Sequence, residues 1–198
     1  MSTDFESEVD ELLRQSYRQG AGPAKIALVE GAVRLADAHQ RTDLGFATRK
    51  ELIRAATLCG SPEKAMVAFT WCLGWCDREP ERFSEDDILW QYKWIMGNVS
   101  EFPQVTREQI DGMAEDMTLR YQRCGRGMRA VHKLRCLIAM DMERHDDART
   151  FQRLWRFSQM VQDLCRDFDR DGVSWSGEGL KNLTESLGQL SKRLRMKT

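Results

Sequence analysis

Strand signals are almost absent from these 198 residues. Helical periodicity and capping signals recur instead from one end to the other, which excludes sheet-based folds and leaves an all-α class. Net charge is also missing. Thirty basic residues against thirty-one acidic ones leave a formal charge of -1, so nothing demands a nucleic acid or an anionic membrane as partner. No window approaches the ~18 consecutive apolar residues of a membrane span. The start, Met1-Ser2-Thr3-Asp4-Phe5-Glu6, is acidic where a secretory signal is basic and then apolar. A cytoplasmic protein is the expectation. None of the six cysteines (Cys59, Cys72, Cys76, Cys124, Cys136, Cys165) lies in a Cys-x-x-Cys pair, and small secreted scaffolds carry cysteine far more densely. They read as reduced thiols serving as small hydrophobes. Phosphate-binding Gly-x-x-x-x-Gly-Lys loops, dinucleotide glycine fingerprints, His-Glu-x-x-His and Gly-x-Ser-x-Gly are likewise missing, so enzyme activity is not expected.

What is present is a succession of amphipathic segments. Thr3 and Glu6 form a capping-box pattern ahead of a stripe of Phe5, Val9 and Leu12. Gly20 to Pro23 breaks that helix, and Pro23 suits the first turn of a second helix running to about His39. A third, roughly Leu44 to Cys59, closes at Gly60, and Ser61-Pro62 restarts the chain as N-cap and first helical residue of a fourth, to about Cys76. Ser84 to Asp87 caps a fifth helix carrying Trp90 and Trp94. Pro103 ends the next loop, and Thr106 with Gln109 opens a sixth helix ending near Gly125. A seventh spans about Met128 to Met142 and an eighth Asp146 to about Cys165. Connections of two to ten residues favour antiparallel neighbours.

One junction recurs. Gly60 is followed five residues later by Ala65 and then by Phe69; Glu143 is followed five residues later by Ala148 and then by Phe151. A small residue at that place lets a helix nest against the one before it. Leu52 and Ile53, the turn at Gly60, and Ala65 with Phe69 make the Leu52 to Cys72 segment resemble a tetratricopeptide unit. The Cys136 to Gln152 segment fits less well, since Glu143 replaces the turn glycine and Phe151 comes one place early. The stretch from about 24 to 157 is similar to uncharacterised bacterial proteins of tetratricopeptide-like fold. That resemblance implies antiparallel helix pairs stacked as a short right-handed solenoid over residues 1–165, and a scaffold or adaptor that binds a peptide or helix on its concave face. The first helix of each pair lines that face, which places Lys50 and Arg54 there on one unit and Arg129 and Lys133 on another. An acidic peptide is the partner such cations fit.

Other clusters invite chemistry. Between Met117 and Met140 stand Arg120, Arg123, Arg126, Arg129, Lys133 and Arg135 with no carboxylate among them; a solvated face accounts for them as well as an anion site does. Trp71/Trp75 and Trp90/Trp94 each occupy one helix face, and stripes at helical spacing are ordinarily inter-helix packing. Cys72 with Cys76, and His132 with Cys136, have the spacing of zinc ligands should their helices adjoin, but lack the knuckle spacings of a metal motif. Asp141 to Asp147 reads as a polar turn with acids at a helix start.

Beyond residue 165 the sequence changes character. Asp167 to Glu178 has the twelve-residue spacing of an EF-hand loop, with acids at positions one, three, five and twelve and Gly172 at six. Asp167, Asp169, Asp171, the carbonyl of Val173 and the carboxylate of Glu178 are its candidate calcium ligands, making a calcium-responsive regulator the alternative function. Ser174 stands where such loops carry an apolar residue. An acidic, glycine-rich linker over 166–179 is the other reading. Leucines at 180, 183, 187, 190 and 194 then mark a basic amphipathic helix over 180–198, either a cap on the array or a homodimer contact.

Overall fold

A computed structural model describes residues 4–99, 102 and 105–170. All its elements are helical and no strand occurs among the described residues. The helices are α1 (Asp4–Arg18), α2 (Pro23–Ala38), α3 (Thr42–Leu58), α4 (Pro62–Arg78), α5 (Leu89–Met96), α6 (Arg107–Arg123), α7 (Arg129–Asp141) and α8 (His145–Arg170), with a 3-10 turn at Glu85–Asp87. They fall into two compact units, Met1–Phe102 and Pro103–Thr198.

In the first unit α1 packs on α2, α2 on α3 and α3 on α4, while α5 lies against both α3 and α4. Small side chains set the spacing: Ala32, Ala36, Ala56 and Ala65 are fully buried, so backbones approach closely. Large ones fill what remains. Phe69 meets Tyr92 edge-on with ring centroids 4.7 Å apart, and Ile53, Ile88 and Met96 are sealed around them. Burying each such side chain contributes about 1.5–3 kcal/mol. Phe46 stacks on Phe83 at 4.8 Å, which anchors the segment between α4 and α5 to the body of the unit.

In the second unit α7 packs along α8, and α6 touches α7 over a shorter stretch. Met117 and Val131 are fully buried. Arginines tie the rest: Arg135 reaches Glu115 at 3.2 Å and Thr118 at 3.0 Å on α6, and Arg144 bridges Asp111 of α6 and Asp147 of α8.

Four helix exits share one backbone form. Gln40, Gly60, Gly125 and Glu143 have φ of 53, 72, 62 and 57°. In each the next amide reaches back five residues: Arg41 to the Ala36 carbonyl (2.9 Å), Ser61 to Ala56 (2.9 Å), Arg126 to Tyr121 (2.9 Å) and Arg144 to Ala139 (2.7 Å). This is the Schellman closure, which satisfies carbonyls left over at a helix end. Glu143 therefore departs from Gly60 in side chain and matches it in backbone. The small residues five positions on behave alike too, Ala65 at 0% and Ala148 at 7% exposure.

Several boundaries differ from the sequence reading. The capping box at Thr106 is present, with the Gln109 amide donating to Thr106 Oγ1 (3.3 Å) and the Thr106 amide to Gln109 Oε1 (2.8 Å). Ser84 accepts from the Asp86 amide as the cap of the 3-10 turn Glu85–Asp87, and not of the fifth helix as expected, since α5 begins behind Ile88 with no side-chain cap bond. Ser61 holds the N-cap position of α4 without a side-chain cap bond; its amide is already committed to closing α3. α8 continues helical through Arg170, five residues past the expected end near Cys165. Thr3 and everything from 171 onward, including the leucine repeat at 180–194, lie outside the described residues. Among the described residues no helix is long and apolar enough to cross a membrane.

Candidate functional site

α4 is apolar around more of its circumference than its neighbours cover. Ala65, Ala68, Phe69, Cys72 and Cys76 take the buried side. A second stripe, Val67, Trp71, Gly74, Trp75 and Arg78, has i, i+4, i+7, i+8, i+11 spacing and so runs along one edge of the same helix. Val67 is 74% exposed, and Trp71 and Trp75 are half-buried. Two clefts adjoin along this stripe and share Val67. One, of about 430 Å³, lies between α2 and α4 with Leu52 of α3 on its floor. The other, of about 460 Å³, is formed by α4 itself around Trp71, Gly74 and Trp75. The Thr70 hydroxyl donates to the Met66 carbonyl at 3.0 Å, so that hydroxyl is already satisfied.

The aromatic floor is held from beneath. The Arg49 guanidinium lies 3.9 Å from the Trp71 ring centroid and donates to both oxygens of Asp37, at 2.9 and 2.7 Å. Gly45 makes room for this stack, since a Cβ there would stand 3.2 Å from Arg49 Nη1 and 3.5 Å from the Trp71 ring. Trp71 meets Trp75 at 5.7 Å, and Trp75 meets Phe83 at 5.8 Å. The chain of rings ends on Phe46 in the core. Rings fixed in this way lose little further freedom when covered.

Charge surrounds the floor. Lys64 and Glu30 pair across the α2/α4 cleft at 2.6 Å. Glu63 sits in the first turn of α4, where the helix dipole favours a carboxylate. Arg34 and Arg78 are exposed; Arg78 rests 5.6 Å from the Trp75 ring, and neither has an ion-pair partner among the described residues. Cys72 lies under this face, and burial pushes its thiol up to about 12, so it is held as the neutral thiol near neutral pH.

The residues singled out from sequence are distributed differently. Lys50 and Arg54 lie on α3 in the first unit, and Arg129 and Lys133 on α7 in the second. Arg54 is engaged: it donates to Glu51 at 2.6 Å and lies 5.3 Å from the Tyr17 ring. Lys50 Nζ is 5.9 Å from the Phe46 ring. Arg129 donates to Gln159 and Lys133 Nζ stands 5.7 Å from the Trp155 ring. The run of arginines around them is no uniform solvated face, because Arg120 is 5% exposed and bonded to Asp116 (2.9 Å). Both Asp116 and Glu115, the partner of Arg135, lie just ahead of the stretch that contains no carboxylate.

The tryptophans depart from the packing expected of them, with Trp71 and Trp75 at a cleft and Trp90 58% exposed. On α4 the alanines and Phe69 occupy the buried side. Cys72 and Cys76 belong to the first unit, His132 and Cys136 to the second. Of the calcium-loop residues, Asp167 and Asp169 fall on the helical backbone of α8, and Asp171, Val173 and Glu178 lie outside the described residues. Sequence reasoning did not single out Arg34, Arg49, Val67 or Arg78. For Val67 and Arg78 the legible signal was a second stripe on α4 beside the one that Phe69 and Cys72 define; Arg34 on α2 and Arg49 on α3 had no such signal.

No family model matches the chain, and comparison with curated proteins and with solved structures gives no match.

Proposed function

We propose that the protein is a non-catalytic interaction module that holds a peptide or helix of a partner protein, and that the groove along α4 is its docking surface. The observation that carries this reading is the exposed Val67–Trp71–Trp75 stripe, set on rings fixed from below by Arg49 and Phe83. Aromatic anchors in well-packed surroundings dominate binding energy at protein interfaces, and an apolar stripe of this kind needs a cover. The α1 to α4 succession, with Schellman exits after α2 and α3, fits a short tetratricopeptide-like solenoid. In such an array this groove runs over α2 and α4, the second helices of the pairs, and so lies away from the face carrying Lys50 and Arg54.

Selection of helical peptides from a displayed library against the folded protein tests the reading. Selected peptides are expected to lose binding to Val67→Glu, a change at an exposed position that leaves the circular dichroism spectrum intact. Equal binding to parent and variant would move the site elsewhere.

A further inference from the structure

The α4 groove also states what kind of segment it takes, an inference that rests on the docking reading above. Its apolar stripe from Val67 to Trp75 rises about 12 Å along the helix, and the flanking charges from Lys64 to Arg78 extend this to about 21 Å. An extended peptide laid there would bring unpaired backbone amides and carbonyls onto an apolar floor, and no sheet edge exists among the described residues to receive them. A helix arrives with those groups already bonded. Its apolar residues at i, i+3/i+4 and i+7 match a ridge of the same spacing on α4.

Charge selects further. Around the groove Lys64 is neutralised by Glu30 and Arg49 by Asp37, while Glu63 is held by the helix start it occupies. The cations left without a counter-charge among the described residues are Arg34, on the α2 side of the first cleft, and Arg78, at the far end of the second, against one unpaired carboxylate, Glu63. Both are guanidiniums, whose fork geometry fits carboxylates. We infer that the groove takes an amphipathic helix of a partner protein whose apolar face is rimmed by Asp or Glu, with Arg34 and Arg78 engaging the carboxylates near its two ends.

The test uses two fluorescein-labelled synthetic helices of about 18 residues, close to 27 Å long and enough to cover the groove. Both carry leucine along one face; one is rimmed with glutamate and the other with lysine. The parent protein is expected to bind the glutamate-rimmed helix roughly tenfold more tightly, a preference that shrinks as salt is raised. The double variant Arg34→Glu/Arg78→Glu, both exposed positions, is expected to reverse the preference. Equal binding of the two helices, abolished by Val67→Glu, overturns the charge inference and leaves the docking reading standing. A preference that survives the double reversal overturns it as well. Binding of neither helix, or binding that Val67→Glu does not affect, overturns both.

Discussion

In the first unit each of four helices packs on the next and α5 closes over two of them, so Phe69, Ile53 and Tyr92 are at most 1% exposed. In the second, α7 and α8 share the main contact and α6 is tied to them through Arg135–Glu115 and Arg144–Asp111. The units use the same helix exit at Gly60, Gly125 and Glu143, yet what lies behind the exits differs. Apolar burial is insensitive to salt and carries most of the stability where it is dense; partly exposed ion pairs contribute less and are screened. A unit built the first way can expose a rigid apolar stripe on one side without unravelling, because the opposite side of the same helix is sealed.

Breaking the sealed side gives the largest effect. Phe69→Ala is expected to cost about 3–5 kcal/mol, since the ring and its contact with Tyr92 go and the rigid surroundings collapse only in part; urea unfolding followed by circular dichroism measures it. The shared exits supply the next comparison. Gly60 has open space where a Cβ would stand, so Gly60→Ala should cost about 1–2 kcal/mol from left-handed backbone strain alone. Glu143→Gly relieves the same strain at φ 57° and should raise stability by about 0.5–1 kcal/mol. Thermal melts of both variants decide whether the two junctions are equivalent in energy as well as shape.

Arg144→Ala should cost about 1 kcal/mol at low salt, and that difference should fade near 1 M, where the screening length is about 3 Å. A penalty that persists undiminished in salt would show that packing of the Arg144 stem, not its charge, holds α6. The smallest effect concerns pH. Burial, aided by the Arg135 charge, holds the His132 imidazole below its ordinary value of 6.5, and its Nδ1 has no hydrogen-bond partner among the described residues. Because the unfolded chain takes up the proton first, the second unit should lose stability as pH falls below 6.5. His132→Gln should flatten that slope in melts recorded from neutral to mildly acidic pH.

Much of the helical frame was legible because caps and periodicity are local. Pro23, Gly60, the Thr106 box and Gly125 mark boundaries that the structure keeps within a few residues. The exit at Gln40 and the left-handed backbone of Glu143 were not, since both positions lack the glycine that announces such a conformation. Which stripe of α4 is covered was also hidden: Phe69 and Trp71 are equally apolar in sequence, and only the placement of α3 and α5 seals one and leaves the other at a cleft. Arg120 illustrates the same limit. It reads as surface charge until Asp116, one turn back and still partly exposed, accepts from its buried guanidinium.

The four helix exits are drawn in main-chain atoms. The residue at the turn contributes an angle, so glycine, glutamine or glutamate can stand there while the amide of the following residue closes the same ring. Drift at such a joint erases the spelling and preserves the elbow. A count of repeats taken from side chains therefore sees one clear copy and one eroded copy, where the described residues turn the same corner four times.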